Sequence, residues 1–167
     1  MKKAIIIIFL IPLIGFTQKM QKPENPSKDQ QKTMMMKNKM IIDQWEEYSK
    51  AFEYADYNKI ISYFAFPVTF GIIDDPHILN NKEELLELYK NIRSNVQDGY
   101  KYSLLEKSKV TWLSKDICMI DATYSRFNSN YKRIFIGRGI YMYKRIDDQW
   151  KMFSVSGIPM KRPKRKK

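Results

Sequence analysis

The residues of this chain best equipped for chemistry are few and scattered. Asp121 lies inside ICMIDATY, a run that is otherwise largely apolar. A carboxylate drawn into such surroundings is costly unless paired, and its pKa rises, which is one way to make a pocket acid or base. Alternation along a strand groups Asp121 with Met119 and Thr123, opposite Ile120 and Ala122. It therefore faces either a pocket or a solvated outer surface, and a one-residue slip of register exchanges the two. Tyr48, Tyr63, Tyr124, Tyr141 and Tyr143 are hydroxyl donors for a pocket, or else core and sheet cover. Arg138 stands between Gly137 and Gly139. Paired glycines on a strand mark a bulge or a close backbone approach, so this guanidinium meets either a carboxylate ligand or the convex surface. His77, just after Asp74-Asp75, is either a rim group or a solvated loop side chain.

What is scarce narrows the chemistry. Cys118 is the only cysteine and His77 the only histidine. An intrachain disulfide and a CxxC site are ruled out, and a His-based zinc site or Ser-His-Asp triad would have to rest on one residue. No metal and no cofactor is implied. Residues 1–18 carry +2, residues 19–39 carry +4 and residues 161–167 carry +6, which accounts for the whole formal net charge of +12. Residues 40–160 are balanced, so the body of the chain is not a basic nucleic-acid face, and no specific nucleic-acid partner is expected.

The elements that must position these groups come in a clear order. Ile41, Ile42, Trp45, Tyr48, Phe52 and Ala55 recur at helical spacing and predict a first helix over 40–56. Asp56 is placed to cap a short second helix, Tyr57 to Phe64, ended by Pro67, and Val68 to Ile73 reads as a short strand. Asn80 or Asn81 caps a third helix with Leu85, Leu88, Tyr89, Ile92 and Val96 on its apolar face, stopped at Gly99. Strands follow over Tyr100–Trp112 and Ile117–Phe127, divided by Ser114-Lys115-Asp116. Asn128-Ser129-Asn130 leads into a last hairpin, Tyr131–Gly157, that turns at Asp147-Asp148. The fold class is α+β, with three N-terminal helices packed on one face of a strongly curved, mostly antiparallel sheet.

The ends are read separately. Lys2 and Lys3, the run AIIIIFLIPLIGF and Thr17-Gln18 have the form of a secretory signal peptide over residues 1–18, cleaved near Thr17/Gln18. The apolar run is short for a membrane span of about 20 residues, and Pro12 and Gly15 interrupt it. The expectation is an exported, periplasmic or secreted protein. Residues 19–39 are polar and aperiodic with two prolines and read as a flexible linker. Residues 159–167 form a basic tail, KRPKRKK at its end, that would touch an anionic surface by charge or serve only as a solubilising end.

Two stretches, WEEYSKAFEYADYNKIISYFAFPVTF and GIYMYKRIDDQWKMFSVS, resemble the nuclear-transport-factor-2-like superfamily, which includes SnoaL-like proteins and ketosteroid isomerases. The resemblance covers residues 40–158. It implies a cone whose mouth lies between sheet and helices; the residues expected to line its pocket are Tyr48, Phe52, Tyr63, Asp121 and Tyr141. The isomerases' oxyanion-holding tyrosine falls on Tyr48. Their catalytic aspartate falls near Phe70-Gly71 and their second acid near Gly139, and neither place holds a carboxylate. A carbonyl-polarising donor without a base cannot abstract a proton, which argues against steroid-type isomerisation. Three functions remain open: an exported protein that binds a small hydrophobic molecule or acts as an accessory without catalysis; an enzyme with Asp121 as acid/base and Tyr48 as donor; and a partner-binding module, a homodimer through its sheet.

Overall fold

The computed structural model describes residues 26–71 and 75–160. The signal-peptide segment, residues 19–25 of the linker, Ile72 and Ile73 at the end of the expected strand, Asp74 and the tail from residue 161 lie outside the described residues. The elements in order are α1 (Lys28–Glu53), α2 (Tyr57–Ser62), β1 (Phe64–Phe70), β2 (His77–Leu79), α3 (Lys82–Ser94), β3 (Tyr102–Trp112), β4 (Ile117–Phe127), β5 (Arg133–Ile146) and β6 (Gln149–Gly157).

The six strands form one open, mixed sheet in the order β2-β1-β6-β5-β4-β3. Strands β3 to β6 are an antiparallel meander, and β1 returns to pair in parallel with the last strand, β6. The three helices pack on one face of it. Helix α1 presents Ile41, Trp45, Tyr48 and Phe52, all buried, at three- and four-residue spacing. Opposite them the sheet buries Ile120 and Ala122 of β4, Tyr141 and Tyr143 of β5 and Met152 of β6. The caps follow from local chemistry. The Asp56 carboxylate accepts from Lys59 N at 3.0 Å. Asn81 accepts from Glu84 N at 2.9 Å, which satisfies the N3 amide, while the Glu84 carboxylate reaches back to accept from Asn80 N, just before the cap, at 2.8 Å. The β5–β6 hairpin turns on two residues, Asp147 and Asp148, with φ of 47° and 58°. Two left-handed residues in a two-residue loop match the twist of the flanking strands.

Three expectations are corrected. The chain from Lys28 to Lys39 is the first half of α1, not a linker. Ser27 starts it with a reciprocal capping box: its hydroxyl accepts from Gln30 N at 3.2 Å and its own N–H donates to Gln30 Oε1 at 2.8 Å. Tertiary contacts hold the extension, because Trp112 Nε1 donates to Asn38 Oδ1 at 2.7 Å and the Lys37 ammonium lies 5.7 Å from the Trp112 ring centroid. The second helix ends at Ser62 rather than Phe64, and the strand expected from Val68 begins at Phe64 and runs to Phe70, with Pro67 inside it. Pairing of β1 with β6 skips from Phe64 to Thr69, so the proline falls in the irregular interval where its missing N–H costs no ladder bond. A further short strand, β2, folds back on β1 with His77 opposite Phe70.

Two predictions follow from these elements. Asp148→Gly relieves a left-handed backbone at the hairpin and is expected to raise stability by roughly 0.5–1 kcal/mol in urea unfolding; a loss would show that Asp148 holds the turn by another means. Burial pushes the phenols of Tyr48, Tyr89, Tyr141 and Tyr143 above their ordinary value. In the unfolded chain the same groups ionise near about 10. The folded state thus keeps its protons longer, and the stability these groups contribute is whole below that value and lost as pH rises beyond it. Of the eleven tyrosines, these should ionise in a phenolate-band titration only as the near-ultraviolet circular dichroism collapses. A smooth titration of all tyrosines before unfolding would contradict the packing.

Candidate functional site

Between α1, α3 and the concave face of the sheet lies a cavity of about 320 Å³, at the lower end of the roughly 300–1,000 Å³ seen for small-molecule sites. Helix α1 contributes Trp45, Tyr48, Ser49 and Phe52, one turn after another on a single face. Helix α3 supplies Leu88, Tyr89 and Ile92. The sheet closes the space with Phe70 and Gly71 at the end of β1, Tyr124 and Arg126 of β4, Gly139 and Tyr141 of β5, and Val155 of β6. The walls are thus aromatic, with hydroxyls set among the rings.

Two of those hydroxyls face each other. Tyr48 Oη and Tyr89 Oη are 2.7 Å apart and buried. Burial pushes both phenols up. In the neutral pair one proton makes the mutual bond and the other is free for a ligand. Tyr48 is also ringed edge-on by Tyr63, Phe64, Tyr89 and Tyr141, with centroids 6.0–6.3 Å away. Burial likewise raises Tyr141. Tyr124 lies over the backbone of β5: a Cβ on Gly137 would stand 2.6 Å from Tyr124 Cζ, so only glycine admits the ring there. The glycine pair of β5 therefore serves close approach, Gly137 beneath Tyr124 and Gly139 as bare cavity wall. Gly71, at φ 67°, turns the chain at the mouth and accepts from Asp75 N at 3.0 Å.

The structure brings Tyr48, Phe52 and Tyr141 to the cavity and leaves Asp121 and Tyr63 elsewhere. Ile120 and Ala122 are fully buried on the inner face of β4, which turns Asp121 to the outer face. There its carboxylate takes both arms of the Arg138 guanidinium, from Nε at 2.8 Å and from Nη2 at 2.5 Å. Arg138 holds the Asp121 carboxyl below its ordinary value, outweighing partial burial. Lys107 and Lys109 flank it. An acid so placed and so paired cannot exchange protons with anything at Tyr48. Tyr63 instead donates to Glu47 Oε2 at 3.1 Å beside a shallow surface depression, and burial, with help from Glu47, pushes its phenol up to about 12.

His77 reaches the cavity mouth, with Nε2 3.0 Å from the exposed Asp75 carboxylate. Cys118 is fully buried in the core, and burial pushes its thiol up to about 12. Among the described residues no three side chains of His, Cys, Asp or Glu stand together. The positions where the isomerase resemblance sets carboxylates, Phe70-Gly71 and Gly139, do line the cavity, and they line it with a ring and bare backbone.

Arg126 lines the cavity and is absent from the candidates that residue type and spacing offer. Its signal was present: Ile120, Ala122, Tyr124 and Arg126 share one face of β4 by alternation, so an arginine continues an inward apolar series. Tyr89 and Trp45 belong to helical apolar faces, and such spacing does not tell a cavity wall from a filled core.

No curated protein matches the chain. Solved structures of similar fold include a protein of unknown function with a cystatin-like fold from Nostoc punctiforme, 13% identical, covering 70% of this chain and 86% of that one with a TM-score of 0.59. An NTF2-like protein of unknown function from Pseudomonas putida is 13% identical over 74% of this chain and 86% of that one, TM-score 0.57. Aln2 from a Streptomyces species is 10% identical over 80% and 93%, TM-score 0.58. At such identities the likeness is one of fold. The family model described as NTF2-like protein (DUF6841) matches residues 38–159, from the Trp112-bonded Asn38 through the end of the sheet, and the chain belongs to that family.

Proposed function

We propose that the protein binds a small, ring-bearing apolar molecule inside the cone, without transforming it, as an exported binding or accessory protein. The observation that carries this reading is the wall chemistry of the cavity. Trp45, Tyr48, Phe52, Tyr89, Tyr124 and Tyr141 surround a space fit for one or two rings. Aromatic walls give large contact area and edge-to-face geometry to a flat guest. Among the described lining residues the titratable side chains that face the space are tyrosines, Arg126 and His77 at the mouth; Arg138 is turned to the outer face by its pairing with Asp121, and no lining residue is a carboxylate or a thiol. The buried phenols hold their protons in the physiological range, so they serve as donors that orient a guest rather than as bases. Export is supported by Lys2-Lys3 and the apolar run that follows.

The test uses a neutral two-ring probe, 2-naphthol, titrated against the full-length mature protein by quenching of tryptophan fluorescence. Saturable binding of one probe per chain is expected. Gly139→Leu sets a side chain into the cavity wall, where even a Cβ meets the Tyr141 ring at 3.1 Å and Ser156 O at 3.3 Å. It should weaken binding by about tenfold or more, the scale of a lost ring contact. Asp121→Asn, on the outer face, should leave binding as it was. Equal binding by wild type and a folded Gly139→Leu variant would place the probe elsewhere and end the cavity reading. Export is checked apart from this: in a bacterial host the intact mass of the periplasmic protein should correspond to loss of about 17 residues, and an uncleaved cytoplasmic product would refute it.

A further inference from the structure

One corner of the cavity carries a charge that the protein does not answer. Arg126 enters the apolar space from β4 with its guanidinium carbon 5.3–5.5 Å from the ring centroids of Phe52, Tyr100, Tyr124 and Phe135. The rings cover the group and leave its N–H donors at the edge. One of these, Nη1, donates to the neutral Gln97 Oε1 at 2.7 Å. Nε is buried without a protein partner. Among the described residues no carboxylate stands within 4.0 Å of this guanidinium. The nearby basic groups are already matched, Arg138 by Asp121 on the outer face and His77 by Asp75 at the mouth.

The neighbourhood adds positive charge rather than removing it. Arg93 of α3 lies 5.1 Å from the Tyr100 ring centroid and 5.9 Å from that of Phe52, the two rings it shares with Arg126. Its Nη2 is 3.5 Å from the backbone oxygen of Glu53, and it too makes no ion pair among the described residues. Glu53 is the acid whose field reaches this corner, against two guanidinium groups. The field of Arg126 extends to the Tyr48 hydroxyl on the far wall. A cation in a half-dry aromatic cage attracts an anion far more strongly than one in water, and the planar N–H edge of arginine suits two parallel hydrogen bonds to a carboxylate.

We propose that the molecule bound in the cone is an organic acid, a one- or two-ring monocarboxylate whose carboxylate seats on the N–H edge of Arg126 and whose ring system lies between Trp45, Tyr48 and Tyr141. Gln97 orients the arginine from behind, and the aromatic cage keeps the guanidinium from turning out to solvent. The proposal rests on the cavity being a binding site and adds the charge of its ligand.

A matched pair of probes separates the two readings. 2-Naphthoate and 2-naphthamide have the same rings and differ in charge. Titrated into the full mature protein at low salt, naphthoate should bind at least about tenfold more tightly, the scale of one charge-assisted hydrogen bond. Arg126→Gln should bring the ratio of the two affinities to about one. If that variant unfolds, as judged by its melting curve, salt decides on the wild-type protein. Naphthoate binding should then weaken with ionic strength while naphthamide binding holds steady. Naphthamide binding as tightly as naphthoate, or a preference indifferent to both Arg126 and salt, overturns the acid proposal and leaves the cavity reading standing. Failure of 2-naphthol and of both these probes to bind overturns both.

Discussion

Two phenols buried among rings answer each other, and the Tyr48–Tyr89 hydrogen bond is the constraint on which the interior depends. A buried hydroxyl without a partner costs about 1–3 kcal/mol, so each tyrosine fixes where the other must be. Tyr48 comes from α1 and Tyr89 from α3, at 2.7 Å. The bond thus joins the two helices over the sheet. Phe64 and Phe70 pack against Tyr89 from β1, at 5.8 Å each, and tie that strand to the same point. The elements that enclose the cavity are thus referred to one polar contact inside an apolar shell.

That arrangement also explains why a cavity persists instead of a filled core. Aliphatic side chains have rotamer freedom enough to fold into a gap of this size. Rings are flat, have few torsions and meet at fixed edge-to-face distances. Trp45 meets Tyr141 at 82° with centroids 5.8 Å apart, and Tyr48 meets Tyr89 at 78°. Walls assembled from such pairs brace one another and do not collapse inward. The two glycines of β5 complete the space, one by admitting the tip of the Tyr124 ring and the other by leaving a bare wall.

How far the sequence discloses this depends on whether a feature is local. The β4 boundaries and the Asp147-Asp148 turn are legible because alternation and turn chemistry act over a few residues. The Asn81 cap is legible for the same reason. The start of α1 was hidden because residues 28–39 show no apolar period; what holds them is a capping box and a contact to Trp112 more than seventy residues away, separated by 74 positions. The face of Asp121 was undetermined because alternation fixes only which residues go together. Register irregularities at Leu105/Lys107, Arg126/Phe127 and Met142/Tyr143 shift the phase between strands, and no single strand shows them. Resemblance to the isomerases located the walls of the site but carried no chemistry across, since glycine and phenylalanine stand where acids would be needed.

Net charge misleads here in an instructive way. The excess of +12 sits at the ends of the sequence, and residues 40–160 are balanced, which suggests a body without electrostatic purpose. Balance over a domain says nothing about where each charge is placed. On the outer face Arg138 is consumed by Asp121, and at the α1 surface Lys39 by Asp43 at 2.6 Å. Exposed pairs of this kind contribute little to stability because water screens them. Arg126 is half-buried and is given rings and a neutral amide instead of a carboxylate. Burying a charge without its counter-ion is costly, and a fold that only needed filler would have placed a leucine there. The cost is recovered when an anion arrives, so the same residue that weakens the empty protein would strengthen the filled one, and a ligand acid should raise the melting temperature by mass action.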